Sequence, residues 1–466
     1  MASQGNSKRR RRLRSQQQQL DGDQATDLAG SRNEEQDDVY FDSYSHLSIH
    51  EEMIKDHVRT DAYLAAIRNY ADTICGKVVI DVGCGTGILS IFCAQVGARH
   101  VYAIDASEIA VQAKRIVEDN GLSDRVTVIH GRVEEVELPE KADIIVSEWM
   151  GYMLFYENML RSVIVARDRW LKPDGLMMPS HATLYIAPIT YEERYDEAVE
   201  FWNNVYGIDM SSLIPLAKRC AFEEPVVEPI SAENVLTWPA IVTEIDCATI
   251  TVAELEAEIK GTFSVSSIMN GTLNGFVVWF DVVFRNGEPA QCERRLATKD
   301  LVKGRSNRDG CDDDTVGRGG EGKGAESGGG VESRKQEKDK RKREQEEEGD
   351  SPSHAGVVEV VSESGAEGSN GTWSRNCIKG GSNKETERAR RNDNADNVRL
   401  STAPEQECTH WQQTALYIDQ PLLVRQDQVV NGALVLGLNK DNPRFLDIHL
   451  EFETGGALVT KDFVMR

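Results

Sequence analysis

Lys77-Val78-Val79-Ile80-Asp81-Val82-Gly83-Cys84-Gly85-Thr86-Gly87 decides the fold of this chain. Its apolar, β-branched first half suits a strand buried on both faces, as in a parallel sheet. The glycines that follow permit a sharp turn and let a ligand approach the backbone closely. Ile88 to Val96 then reads as a helix. Strand, glycine turn and helix in that order open one unit of a doubly wound α/β sheet.

The pattern repeats on the C-terminal side. Val101-Tyr102-Ala103-Ile104-Asp105, Val126-Thr127-Val128-Ile129 and Ala142-Asp143-Ile144-Ile145-Val146 read as further strands, with a helix over Ile109 to Asn120. Gly97 and Gly121 suit the C-terminal ends of the two helices. Asp105 closes the second strand, where an acid can accept hydrogen bonds from ribose hydroxyls. A nicotinamide dinucleotide would prefer a third glycine where Ile88 stands. GxGxG spacing with an acid before it, here Asp81, Gly83 and Gly85, is instead the usual pattern for S-adenosylmethionine (AdoMet). Glu134, after the third strand, is placed to accept from the adenine amine.

Ser147-Glu148-Trp149-Met150-Gly151-Tyr152-Met153-Leu154-Phe155-Tyr156-Glu157 follows the fourth strand. In a parallel α/β domain, ligands bind beyond the carboxyl ends of the strands. Carboxylates held together there repel each other unless a cation lies between them. Arginine fits that gap, because its planar fork binds carboxylates bidentately. A helix is expected from about Phe155 to Trp170.

The chain has 466 residues with a formal charge of −24, which disfavours general nucleic-acid binding and favours basic partners. Its nine cysteines form no CxxC pair or zinc-like cluster, so a reduced intracellular compartment is expected and no metal site is assigned. No apolar stretch is long enough to span a bilayer. Residues 1–38, with the basic block Lys8 to Arg14, read as a disordered tail that could serve as a nuclear-import signal. After Pro179 the pattern becomes antiparallel: Thr183–Ile186, Ala240–Ile245, Gly275–Phe284, Ala415–Ile418, Ala433–Leu438 and Leu446–Phe452 read as strands. A helical segment, Tyr191 to about Cys220, carries Phe201, Trp202, Val205 and Tyr206. Residues 286–398 are rich in Gly, Ser and charge and read as a disordered insertion, in which Gly317-Arg318-Gly319-Gly320 looks like a methylation target.

These residues resemble one family, the type I protein arginine N-methyltransferases, and within it the plant-type arginine methyltransferase 6 group. Tyr40-Phe41-Asp42-Ser43-Tyr44, Val79 through Gly87, Ser147 through Glu157 and Thr409-His410-Trp411 carry the resemblance, which covers 39–285 and 399–466. It implies a Rossmann-like AdoMet-dependent methyltransferase domain (39–179) with an N-terminal helix. An antiparallel β-barrel substrate domain (180–285 and 399–466) would follow, with a helical dimerisation arm (191–220) that builds a head-to-tail homodimer.

By the same resemblance, Glu148 and Glu157 grip the target guanidinium, and Arg59 pairs with the methionine carboxylate of AdoMet. His50 and Met53 lie on the helix over the cofactor. Tyr40, Phe41 and Tyr44 form an aromatic cover. Gly83, Asp105 and Glu134 match the glycine loop, ribose acid and adenine contact. Met53 and Met159 shape the pocket, and His410 pairs with Asp56. The expected product is asymmetric dimethylarginine on basic or Gly-rich protein tails, histones among them, in nucleus or cytoplasm. Asp105 departs from the glutamate many members carry; its shorter side chain alters the ribose contact and keeps the chemistry. The rival readings are a methyltransferase for another amine and a non-catalytic AdoMet-binding scaffold. Amine enzymes acting on nucleic acid usually carry an Asn/Asp-Pro-Pro-aromatic turn where this chain has Glu148-Trp149, and a scaffold would not need both glutamates.

Overall fold

The structure is a computed structural model that describes residues 36–285 and 398–466. The tail before Gln36, the insertion and Arg318 lie outside the described residues. Helix α1 covers 36–43, so Gln36 to Asp38 belong to the cofactor domain rather than to the tail. It is followed by α2 (Leu47–Lys55), α3 (His57–Asn69) and the short α4 (Ala71–Ile74).

Strands β1 (Val78–Val82), β2 (His100–Asp105), β3 (Val126–His130), β4 (Ala142–Val146) and β5 (Leu171–Met178) make one parallel sheet in the order β3-β2-β1-β4-β5. β1 is buried along its whole length, Asp81 included, as a strand covered on both faces by helices requires. The order reverses at β1, so a crevice opens between the carboxyl ends of β1 and β4. Helices α5 (Ile88–Gln95), α6 (Ile109–Asp119) and α7 (Met159–Trp170) cover the sheet. In α6 the buried residues are Ile109, Ala110, Ala113 and Val117, a stripe at helical spacing with charge on the other side. Gly97 and Gly121 take φ of +100° and +65° just past their helices.

α7 starts later than expected. A single 3-10 turn, Tyr156–Asn158, precedes it, and Glu157 and Asn158 take φ of +73° and +56°. A regular helix from Phe155 would need right-handed dihedrals at both, so the glutamate loop extends through Asn158.

The second half is antiparallel. β6 (His181–Ile189) leads into the arm, which holds α8 (Glu192–Ala198) and α9 (Ile214–Phe222) with 3-10 turns between them. Then come β7 (Val226–Glu228), β8 (Ala240–Asp246), α10 (Val252–Glu256), β9 (Ile259–Ser266), β10 (Gly271–Phe284), β11 (Val398–Ser401), β12 (Gln413–Val424), β13 (Val429–Leu438), β14 (Leu446–Thr454) and β15 (Ala457–Met465). One sheet runs β7-β12-β10-β6-β8 with β11 on β10, and the other runs β15-β14-β13-β9. The barrel is thus built as two facing sheets. β8 lies beside β9 on one seam, and Lys461 of β15 pairs with Asp419 of β12 on the other. Phe263, Phe276 and Phe452 meet between the sheets.

Buried contacts fuse the halves. Trp411 Nε1 donates to Met150 O at 2.8 Å, Tyr70 Oη donates to Phe284 O at 2.9 Å, and Tyr63 packs edge-on against Phe284. The antiparallel half therefore forms one wall of the crevice.

Candidate active site

The glycine turn leaves β1 with Gly83, Gly85 and Gly87 at φ of +69°, +53° and +82°. At Gly83 a Cβ would fall 2.2 Å from Met159 Cε, and at Gly85 it would fall 3.1 Å from the His50 ring. Both glycines are thus favoured by their positive φ, and a Cβ at either would press on a neighbouring side chain. They floor a cavity of about 310 Å³ at the carboxyl ends of β1, β2, β3 and β4. Among the expected site residues Tyr40, Phe41, Tyr44, His50, Met53, Arg59, Gly83, Gly85, Asp105, Glu134, Glu148, Glu157, Met159 and His410 line it.

Two expected residues do not line it. Asp81 is fully buried behind the turn, where its Oδ2 accepts from Ser90 Oγ at 2.7 Å and its Oδ1 has no partner among the described residues. Burial pushes its carboxyl up to about 7, against the hydrogen bond from Ser90. Asp81 therefore anchors α5 beneath the glycine turn, behind the residues that line the cavity. Asp56 sits behind the wall. Its Oδ1 caps α3 through Arg59 N at 3.0 Å, and its Oδ2 meets His410 Nδ1 at 2.7 Å and His410 N at 2.9 Å. Burial pushes the Asp56 carboxyl up, but hydrogen bonds from the His410 ring and from Arg59 and His410 backbone outweigh it and hold it below its ordinary range.

The remaining acids are oriented by short contacts. Asp105 Oδ2 accepts from Gly85 N at 2.8 Å, and its Oδ1 accepts from Ser107 N at 2.8 Å. Glu134 Oε1 accepts from Ser162 Oγ at 2.6 Å. Glu148 Oε2 takes both Arg59 Nε and Nη2, at 2.9 and 2.8 Å, while its Oε1 takes Met150 N at 3.1 Å. Arg59 Nη1 donates to Met53 O at 3.2 Å. Arg59 thus closes its fork on Glu148, a partner the sequence did not suggest.

Glu157 is held by α1. Tyr40 and Tyr44 donate their hydroxyls to its Oε2 at 3.0 and 2.7 Å. Burial raises the Glu157 carboxyl above its ordinary range; the two tyrosine hydrogen bonds and the Arg444 cation pull it back, and the Glu148 charge adds to the rise. The aromatic cover is therefore also the hydrogen-bond support of one glutamate. His50 Nε2 meets Tyr44 O at 2.7 Å, which ties α2 to the same cover.

Three residues the sequence reading missed complete the site. Arg444, in the β13–β14 turn, reaches Glu157 and α1; Asp37 and Arg132 form an ion pair beside Phe41. The signal for Arg444 was only a turn-rich run, Asn439-Lys440-Asp441-Asn442-Pro443-Arg444.

An acid-lined cavity with a glycine floor at a strand-order reversal is built for a nucleoside cofactor with a polar tail, and its paired glutamates are built for a cationic guest. Comparison with known proteins agrees. The family described as arginine methyltransferase oligomerization subdomain matches residues 180–298 and 390–457, and the family described as ribosomal protein L11 methyltransferase (PrmA) matches 55–180. The chain is 46% identical over 430 residues to the probable protein arginine N-methyltransferase 6 of Arabidopsis thaliana, covering 92% of this chain and 82% of that one. It is 49% identical over 259 residues to protein arginine N-methyltransferase 6 of Danio rerio, covering 55% and 74%. Among solved structures it is similar to the Trypanosoma brucei PRMT1 enzyme–prozyme heterotetramer with AdoHcy, at a TM-score of 0.64 and 31% identity, over 91% of this chain and all of that one (100%). On this similarity over most of its length, the chain belongs to the protein arginine N-methyltransferase family.

Proposed function

We propose that this protein transfers methyl groups from AdoMet to arginine guanidinium nitrogens of other proteins, giving monomethyl and then asymmetric dimethylarginine. The observation that carries the reading is the pair Glu148 and Glu157 opening into the cavity that the glycine turn, Asp105 and Glu134 also line. The residues fit AdoMet. Gly83 and Gly85 leave room that a Cβ would fill, Asp105 stands at ribose reach of the turn, and Arg59 keeps N–H groups beyond those spent on Glu148 and Met53 O for a carboxylate.

When bound, AdoMet supplies an electrophilic sulfonium methyl. Everything else falls to positioning and charge. Free guanidinium holds its charge above pH 12 or so and is a poor nucleophile. Glu148 and Glu157 take the arginine by charge-assisted hydrogen bonds, draw positive charge onto one nitrogen and leave the other richer in electrons. Tyr40 and Tyr44 hold Glu157 Oε2 and so orient the carboxylate. The leaving proton passes to Glu157 or to the His410–Asp56 pair and then to water.

The experiment is transfer of labelled methyl to an arginine peptide, with fragmentation of the product. Asymmetric dimethylarginine is expected. Symmetric dimethylarginine alone would overturn the type I assignment, and no arginine methylation would overturn the activity.

The net charge of −24 supports basic tails, histones among them, as substrates, and the basic block Lys8 to Arg14 supports a nuclear location. The exposed Phe201, Tyr206, Ile208 and Leu216 of the arm support a head-to-tail homodimer, which an active monomer in sedimentation would refute.

A further inference from the structure

Arg444 stands far along the chain from Asp37, Tyr40 and Glu157, yet it joins them. Its Nε and Nη2 donate to Asp37 Oδ1 on α1 at 2.9 and 2.5 Å. Its guanidinium lies 3.6 Å from the Tyr40 ring centroid and 5.3 Å from that of Phe41. In the other direction, Nη1 donates to Glu157 O at 3.0 Å, and Glu157 N donates to Arg444 O at 2.8 Å. Asp37 Oδ2 in turn takes Arg132 Nη1 at 2.6 Å, so α1 is pinned to the cofactor domain as well.

We propose that Arg444 is a positioning residue for methyl transfer, a latch that holds helix α1 over the cavity and fixes the backbone on which Glu157 is aimed. This rests on the arginine-methyltransferase reading above. An isolated helix of two turns is unstable in water and needs docking to persist. A positive φ at a non-glycine residue such as Glu157 is strained and persists only where the surroundings impose it. One guanidinium meets both needs. Tyr40 and Tyr44 reach Glu157 Oε2 from α1, so docking of the helix and aim of the carboxylate are coupled through this side chain. Lysine cannot replace it, lacking the fork that spans Asp37 and Glu157 O and the plane that stacks on Tyr40.

The test uses the full chain with Arg444→Lys, Arg444→Met, Asp37→Asn and the Arg444→Met/Asp37→Asn double variant. The readouts are kcat and KM for a basic arginine peptide at saturating AdoMet, and amide hydrogen exchange over 36–46 and 156–158. Each single variant should lower kcat/KM by about ten- to a hundredfold, the loss of charge-assisted hydrogen bonds. The losses should be less than additive in the double variant, because both single variants cut the shared Arg444–Asp37 link. Exchange should quicken in both segments at once in Arg444→Met and Asp37→Asn.

The pH profile separates aim from bulk stability. Tyr40 and Tyr44 face Glu157 from α1, Glu148 from the loop after β4, Tyr152 and Tyr156 from its own loop, and Arg444 from the β13–β14 turn. Arg444 is the cation among them, and it lowers the Glu157 carboxyl. The acid limb of kcat/KM should therefore move to higher pH in Arg444→Met and stay in place in Arg444→Lys. Wild-type kcat/KM in Arg444→Met, additive losses in the double variant, or faster exchange in only one segment would overturn the latch. A wild-type chain inactive on arginine peptides would overturn the activity instead. The exchange data would then judge the latch alone: paired quickening supports it and unchanged exchange rejects it.

Discussion

Glu148→Gln tests the site most directly, because its effect on stability and its effect on turnover have separate origins. The Arg59 and Glu148 side chains are each 8% exposed, so the pair is a buried one. Oε2 of Glu148 serves two N–H groups of Arg59, and Oε1 serves the N–H of Met150. A glutamine has a single acceptor oxygen. It must turn its amide N–H₂ toward either the Arg59 fork or Met150 N, and in both cases the arginine loses its counter-charge. Breaking a buried ion pair from one side costs about 3–5 kcal/mol. The retained acceptor places this variant near the lower end, at about 3 kcal/mol. Urea denaturation of the cofactor-free chain should show that loss. Saturating AdoMet should then stabilise the variant more than the wild type, because the freed Arg59 gains a carboxylate partner. Methyl transfer to an arginine peptide should fall by a factor on the order of 10²–10³, the usual scale for losing one preorganised charge contact. Near wild-type turnover would refute the glutamate clamp. An unchanged denaturation midpoint would refute the buried Arg59–Glu148 pair.

Three other outcomes are expected. Glu157 has its carboxyl raised by burial, so kcat/KM should climb with pH through a value above the ordinary glutamate range, and a limb at or below that range would contradict the burial of Glu157. Asp81 titrates at about 7 in the folded chain, above its unfolded value. Its contribution to stability is therefore fully present below the unfolded value and is lost as pH rises through about 7; Asp81→Asn should melt higher than wild type at pH 8 or so, with a flatter melting profile across that window. Gly83→Ala would place a Cβ 2.2 Å from Met159 Cε at a φ of +69°, so calorimetry should show AdoMet binding weakened at least about tenfold, and unaltered affinity would refute the tight floor.

The half of the site on the parallel sheet was legible in the sequence because its chemistry sits at strand ends. β1 is buried throughout, and its apolar run announces both the strand and the turn that follows. Asp105 and Glu148 follow β2 and β4 in the same way. Asp81 was placed on the cavity because an acid beside a glycine turn looks like a ligand contact, whereas in the fold it turns to Ser90 of α5. Arg59 was found, but its partner was not, since nothing local to α3 points to a glutamate beyond β4. Arg444 and Asp37 were illegible because each lies in a polar stretch that reads as turn or tail, and only the fold brings them together. β5, β9 and β15 were missed too. β5 contains Pro173 and Gly175, which mimic a turn, and β15 carries the polar run Thr460-Lys461-Asp462 in its middle.

Phe284 and Val398 are register partners at the open end of β10 and β11, and Arg399 pairs with Asp281 just inside them. The polypeptide therefore departs and returns at adjacent points on one sheet edge. Lengthening what lies between changes the entropy of closing that excursion only logarithmically. The pairing of Phe284 with Val398 alone fixes where both ends of that excursion lie.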